Sequence, residues 1–284
     1  MSMKVILSRK GFDSSAGGYP SPILPNGTLL SIPIPAKNRI KYSELKTVLN
    51  LSYFDVMSQI YPNMKINGKT RPLDTKFECH RDPDLDVSAY PREKGWQPLF
   101  GQTGAALSHL NNQNIQVGDI FLFYGLFRKV IVNNNQLQFD KHARPIHVIF
   151  GYLQVGMIHK IDSDFKALKW MQYHPHILNK SKRKNSVIFE AAKDYSTDEH
   201  RPRAGVFKYH DSLVLTKNGC SPSQWELPEF FRDVNISYHC NSSKYGWKDD
   251  YFQSALRGQE FVIEENSLVN KWAMMLIKRF AQKS

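Results

Sequence analysis

The chain has 284 residues, 41 % of them hydrophobic, which supports a substantial core and excludes a disordered or fibrous chain. Its 38 Lys and Arg against 26 Asp and Glu leave a net charge of +12, which favours a polyanionic partner, nucleic acid first and an anionic membrane surface second. No run reaches the roughly 18 apolar residues of a membrane span, no charged-then-apolar export signal opens the chain, and the scattered Cys79, Cys220 and Cys240 argue for a reducing cytoplasm over a disulfide framework.

Val5 to Leu7 is apolar and β-branched, reads as a short buried strand, and delivers directly into Ser8, Arg9, Lys10, Gly11, Phe12, Asp13 and Ser14. Gly17, Gly18 and prolines 20, 22 and 25 keep the next stretch out of a helix. Two cations, a carboxylate and hydroxyls thus sit on a loop rich in free amides, a composition suited to holding an anion. Tyr42 to Ile60 has apolar residues spaced by three and four and predicts a helix. Asn63 to Thr75 is turn-rich, and Phe77 to His80 predicts a short strand leading into Arg81-Asp82-Pro83-Asp84. Gly101 to Asn111 predicts a short helix.

The middle carries the strongest strand signal. Ile120 to Phe127 is one strand, Lys129 to Val132 and Gln136 to Phe139 form a hairpin about Asn133-Asn134-Asn135, and Ile146 to Val155 is another strand. Ala167 to Tyr173 predicts a helical turn before His174-Pro175-His176 and the basic loop Asn179 to Asn185. Val187 to Ala191 predicts a strand, Val206 to His210 with Leu213 to Thr216 a second hairpin, and Ile236 to His239 and Glu260 to Ile263 further short strands. Trp225 to Phe231 is aromatic and expected to pack. A final helix, Leu268 to Phe280, starts from a cap at Asn266 or Ser267 and ends with Lys278 and Arg279, where cations favour the helix dipole. The expected fold class is α+β, a mixed or antiparallel sheet in one domain over 1–284, with a barrel-like core over 115–160 and a C-terminal helix.

Four segments concentrate chemistry. Cys79-His80-Arg81-Asp82-Pro83-Asp84 joins a thiol, an imidazole and two carboxylates at a strand end; it reads as a base or nucleophile group, or else as a charged turn over a small buried cysteine. His174 and His176 offer two imidazoles, but spacing alone assembles no third and fourth ligand, so no metal site is expected. Lys180, Lys182, Arg183 and Lys184 suit sequence-independent contact with a phosphate backbone. Gln259 and Glu260 set an amide and a carboxylate before an apolar strand. Walker-type, Rossmann and zinc-deaminase signatures are absent, and no cofactor is expected.

RKGFDSSAGGYPSPI with LLSIPIP, CHRDPDL, FGQTGAALSHL, VGDIFLFYGLFR, HVIFGYLQV, HPH and GQEFV occur in that order, and together they resemble the third class of nucleotide-modification-associated domains. The resemblance spans Met3 to Lys278 and implies a part in hypermodification of DNA bases. It singles out Arg9, Lys10, Asp13, Ser14, His80, Asp82, Asp84, Gln102, His174, His176, Gln259 and Glu260, and leaves Cys79 just outside its histidine–aspartate core. His80, Asp82, Asp13, Glu260 and Cys79 are the expected catalytic set, and the others the expected substrate contacts. A fainter likeness joins Gly118-Asp119 and the strand ending at Tyr124 to pseudouridine-synthase-associated (PUA/EVE-like) barrels, several of which hold flipped bases. The implied partner is DNA or a modified nucleotide, alongside other proteins of a DNA-modification system. The implied chemistry is hydrolysis, hydration or group transfer, such as nitrile hydration of a 7-deazaguanine base; a non-enzymatic reader of a modified base is the alternative. The loop after the first strand and the segment around His80 are expected to share one pocket, with Asp82→Asn or Lys10→Ala abolishing function at little cost in melting temperature.

Overall fold

The computed structural model describes residues 3–178, 185–193, 202–239, 242–256 and 258–282. In chain order the strands are β1 (Val5–Arg9), β2 (Ser21–Ile23), β3 (Ile34–Pro35), β4 (Met64–Ile66), β5 (Lys69–Arg71), β6 (Cys79–His80), β7 (Leu99–Thr103) and β8 (Ile120–Asn133). They continue as β9 (Gln136–Phe139), β10 (Ile146–Ile161), β11 (Ser186–Ala191), β12 (Ala204–Val206), β13 (Gln224–Trp225), β14 (Gly246–Trp247), β15 (Phe252–Gln253) and β16 (Glu260–Ile263). The helices are α1 (Tyr53–Ile60), α2 (Gly104–Asn112), α3 (Pro175–Leu178) and α4 (Ser267–Phe280). This is an α+β fold around a mixed sheet, and none of the described helices is long and apolar enough to cross a membrane.

The main sheet follows the path β16-β1-β8-β10-β11-β7, with β2 and β9 also on β8 and β12 on β10. Val5, Ile6, Leu7 and Ser8 are all buried, because β1 has a neighbour on each edge and protein on each face. It runs parallel to β8, Val5 opposite Ile120 and Arg9 opposite Tyr124, and antiparallel to β16, Ser8 opposite Glu260. The first and last strands described are therefore neighbours at one end of the sheet path. Residues 115–160 supply the long strands β8 and β10, around which Phe100, Phe121, Phe123, Phe150 and Phe189 pack in one core. Asn134 and Asn135 take positive φ values of 49° and 59°, the left-handed pair that the hairpin of β8 and β9 requires.

Several elements differ from expectation. The helix expected over Tyr42 to Ile60 is a short 3-10 turn, Tyr42–Glu44, followed later by α1. Ser52 and Asp55 cap one another's backbone amides at 3.1 and 2.8 Å, and this reciprocal box starts α1 only at Tyr53. Leu99–Thr103 is strand where a helix was expected from Gly101, since pairing with β11 outweighs local propensity; α2 begins at Gly104. The second hairpin is absent among the described residues: β12 ends at Val206, and Asp211–Leu213 is a 3-10 turn. Ile236 makes a single bridge to Ile263, and Tyr238, with φ of 68°, ends the extended run. At the C-terminus, the Asn266 side chain accepts from the amides of Leu268 and Val269, and Val269, Ala273, Leu276 and Ile277 form the buried stripe of α4.

Candidate functional site

Lys10 lies one residue past β1, and the β1–β16 register brings it to Glu260. Its ammonium is 2.6 Å from Glu260 Oε1 and 4.6 Å from the centre of the Phe100 ring. Gln102, on β7, donates to the same Glu260 oxygen at 2.7 Å. Glu260 Oε2 is buried without a hydrogen-bond partner. Arg9 donates to the Leu256 carbonyl at 3.2 Å, and its guanidinium reaches Asp13 at 4.0 Å. Asp13 Oδ1 accepts from the Ser15 amide, the Ser15 hydroxyl and the Ala16 amide at 2.7, 2.6 and 2.9 Å, a side-chain-to-backbone turn that fixes the loop.

The second group is built on Asp82. Its Oδ1 accepts from the Gly101 amide at 2.8 Å. Three imidazole Nε2 atoms surround the carboxylate: His174 at 3.4 Å from Oδ1, and His176 and His80 at 3.4 and 3.7 Å from Oδ2. The far nitrogens of two of them are held elsewhere, His176 Nδ1 by the Ser186 hydroxyl at 2.8 Å and His80 Nδ1 beside the Asn38 amide at 3.4 Å. Burial opposes the Asp82 charge, but the imidazoles outweigh it and hold the carboxyl well below its ordinary range. Burial lowers His176 to about 4, against the opposing pull of Asp82, so its ring is neutral near neutral pH. Gly101 makes the assembly possible: a Cβ there would stand 2.4 Å from the His176 ring. Its amide serves Asp82 while its bare Cα makes room for the histidine.

Both groups face one cavity of about 640 Å³. Arg9, Lys10, Asp13, Gln102 and Gln259 line it together with His80, Asp82 and His176. The expected meeting of the first loop with the His80 segment is thus present in the structure. A larger cavity of about 810 Å³ lies by Lys129, His142 and Trp272, but the described His, Cys, Asp and Glu make no metal-competent cluster there.

The other expected site residues lie off the lining. Glu260 stands behind Lys10 and Gln102, and His174 stands behind Asp82 with neither ring nitrogen hydrogen-bonded. Ser14 is exposed, and its carbonyl accepts from Lys65 at 3.2 Å. Cys79 is buried in the core beside Tyr42 and Tyr53, and burial pushes its thiol up to about 12, which leaves little thiolate at neutral pH. Asp84 is wrapped by Arg81, Arg92 and Tyr173; burial opposes its charge, but the two guanidiniums hold its carboxyl down at about 2. Lys180, Lys182, Arg183 and Lys184 lie outside the described residues; Asn185, just after them, accepts at its carbonyl from the cavity residue Thr103 at 2.9 Å.

Sequence reasoning did not single out Thr103, Ala105, Ala106, Tyr238 or Gly258 as lining residues. The first three follow Gln102 closely and belong to the junction of β7 and α2. Tyr238 carried no local signal. It is 44 % exposed, packs 4.3 Å from His109 centre to centre, and holds a left-handed backbone that favours glycine. Such a residue at a cavity is a strained element of the kind found at binding sites.

No curated protein and no solved structure matches the chain. A family model does match, over residues 4–264, and that model describes nucleotide modification associated domain 3. With the whole cavity lining inside the matched span and an imidazole–carboxylate group and a cation opening on that one cavity, the chain belongs to the nucleotide modification associated domain 3 family, whose domain is tied to the modification of nucleotides.

Proposed function

We propose that the protein is an enzyme that modifies a base in DNA, by hydrolysis, hydration or group transfer at an electrophilic carbon. The observation that carries this reading is the shared cavity of Lys10 and the His80–Asp82–His176 group. Chemistry of this class needs a nucleophile generated from water on one side and a positive charge for the heteroatom that gains electrons on the other. The imidazole–carboxylate group takes the proton of the water. The Lys10 ammonium, aimed by Glu260 and set over Phe100, meets the developing negative charge. A volume of about 640 Å³ suits a flipped base with its sugar and phosphate, with Arg9 at the anion and Tyr238 as the stacking face. Hydration of a nitrile on a 7-deazaguanine base is one reaction with these demands.

A reader of modified bases would favour an aromatic cage. Among the described residues that line the cavity Tyr238 is the one aromatic ring besides the imidazoles, whereas titratable groups are several. This composition supports the enzyme over the reader. The test is nucleoside mass spectrometry of DNA from cells carrying the chain, the Asp82→Asn variant, or neither. A modified nucleoside that changes with the wild type and not with the variant supports the proposal. Identical profiles in all three, with tight binding of DNA by the purified chain, would favour the reader.

A further inference from the structure

The three imidazoles around Asp82 are drawn to it without bonding to it. Hydrogen bonds to a carboxylate run at about 2.7–3.2 Å, yet the three nitrogens stand at 3.4, 3.4 and 3.7 Å. Burial should tighten such contacts, because each unsatisfied polar atom there carries its full desolvation cost. Donors held at about 2.0–2.2 Å from one tetrahedral ion, by contrast, stand roughly 3.3–3.6 Å apart. His176, at 3.4 Å from Oδ2, has the spacing of a ligand to a common centre, and His80, at 3.7 Å, stands just outside it.

Asp82's two oxygens divide the work. Oδ1 is held by the Gly101 amide, whereas Oδ2 faces His80 and His176. Oδ2 thus stands with the two imidazoles among the lining residues of the cavity. Ligand atoms of His80, Asp82 and His176 all lie within 4.8 Å of one another. The far nitrogen of each of these two imidazoles also meets a polar group, Ser186 for His176 and Asn38 for His80, as the outer partners of metal-bound histidines do. Asp82 and His176 line the open cavity, so an ion there would keep positions for water or substrate.

We propose that His80, Asp82 and His176 form a binding site for one divalent transition cation, two imidazoles and one carboxylate oxygen with open positions toward the cavity. This donor set suits zinc or iron(II) and disfavours magnesium and calcium, which take oxygen ligands. His174 is a positioning residue, set against Asp82 Oδ1 on the side away from the cavity. The inference concerns metal uptake and deepens the proposed function: with a cation bound, the ion would acidify the water in place of the free imidazole–carboxylate group, and uptake is read apart from any activity.

The test uses the tag-free full chain and reads metal, not activity. The chain is stripped with chelator, incubated separately with Zn(II), Fe(II) under anaerobic conditions, and Mg(II), passed through gel filtration and analysed for metal. The expected result is about one Zn(II) or Fe(II) per chain, no retained Mg(II), and a rise in melting temperature with the retained metal that chelator reverses. The retained ion distinguishes zinc from iron. His80→Gln/His176→Gln should lose this metal while still melting cooperatively, and Ser186→Ala should weaken binding roughly tenfold. Because the wild-type titration stands by itself, a variant that misfolds does not rescue the idea. A cooperatively folded wild type that retains neither Zn(II) nor Fe(II), or a folded double variant that retains either as well as the wild type, overturns it.

Discussion

Asp82 and Asp84 are two residues apart, their side chains are 5 % and 0 % exposed, and their surroundings are opposite. Asp84 is saturated: Arg81 donates at 2.8 Å, Arg92 at 2.6 and 2.7 Å, and Tyr173 adds its hydroxyl. Its backbone bridges to Leu99, so it locks the loop after β6 to the start of β7. Among the described residues Asp82 accepts one hydrogen bond of ordinary length, from Gly101, and its three imidazoles stand at 3.4, 3.4 and 3.7 Å. A carboxylate with every lone pair used is part of the scaffold. A carboxylate left short of partners beside a cavity is available for chemistry. The two side chains make one device, in which the saturated residue holds the other in position.

The largest effect should separate the two. Asp84→Ala leaves two guanidiniums buried beside no carboxylate and should cost about 3–5 kcal/mol of stability. Asp82→Asn should change unfolding far less, while abolishing the proposed modification of DNA. Denaturant melts of the two variants check this, and equal losses would erase the distinction between scaffold and site.

Lys10 comes next and falls between the two. The sequence-based expectation that Lys10→Ala spares the melting temperature does not fit a Lys10 side chain only 9 % exposed and paired to a fully buried Glu260. Removing the ammonium leaves Glu260 with Gln102 alone and should cost about 1–3 kcal/mol. Lys10→Met with Glu260→Gln should recover most of that stability and none of the activity. A double variant no more stable than the single would show that the pair is not what the single variant breaks.

The smallest effect concerns acid and two buried imidazoles that do not line the cavity. Burial lowers His147 to about 3, and His147 accepts from the Trp225 indole at 3.0 Å; burial likewise lowers His239 to about 4. Both folded values lie below the ordinary 6.5, so the unfolded chain takes up the protons first as pH falls. Their contribution is whole above that ordinary value and drains away as pH drops toward the folded values. Melting temperature should fall across this window, and His147→Gln should flatten the fall. A pH-independent melt there would mean that the two rings take up protons in the fold as readily as in the unfolded chain.

Much of this was legible in the residues. Val5 to Leu7, Ile120 to Phe127, Val187 to Ala191, Glu260 to Ile263 and the last helix declared themselves by apolar runs or stripes, and all are present. Lys10 just past β1 and His80 at the end of β6 reach the same cavity because both strands stop at its rim, where a polar side chain can face the open space. The hidden parts were decided at long range. Gly101 looked like a helix opener, whereas it is a strand residue that makes room for a histidine 75 positions later in the chain. Asp84 looked like Asp82 because local spacing cannot count the guanidiniums that Arg81 and Arg92 turn toward it. Cys79 looked reactive beside His80, but its side chain points into a core assembled from α1 and its neighbours.

The pairing of Lys10 with Glu260 spans 250 residues, and β1 lies in the sheet between β16 and β8. During synthesis the first strand therefore leaves the ribosome long before its outer neighbour exists. Lys10 waits without its carboxylate, and the cavity lacks the Gln259 edge of its wall, until the last strand is made. A messenger cut short, or a protein clipped ahead of β16, would yield a fragment with every histidine of the cluster and no oriented ammonium. For the proposed enzyme, completeness of the polypeptide through β16 would be a condition for chemistry.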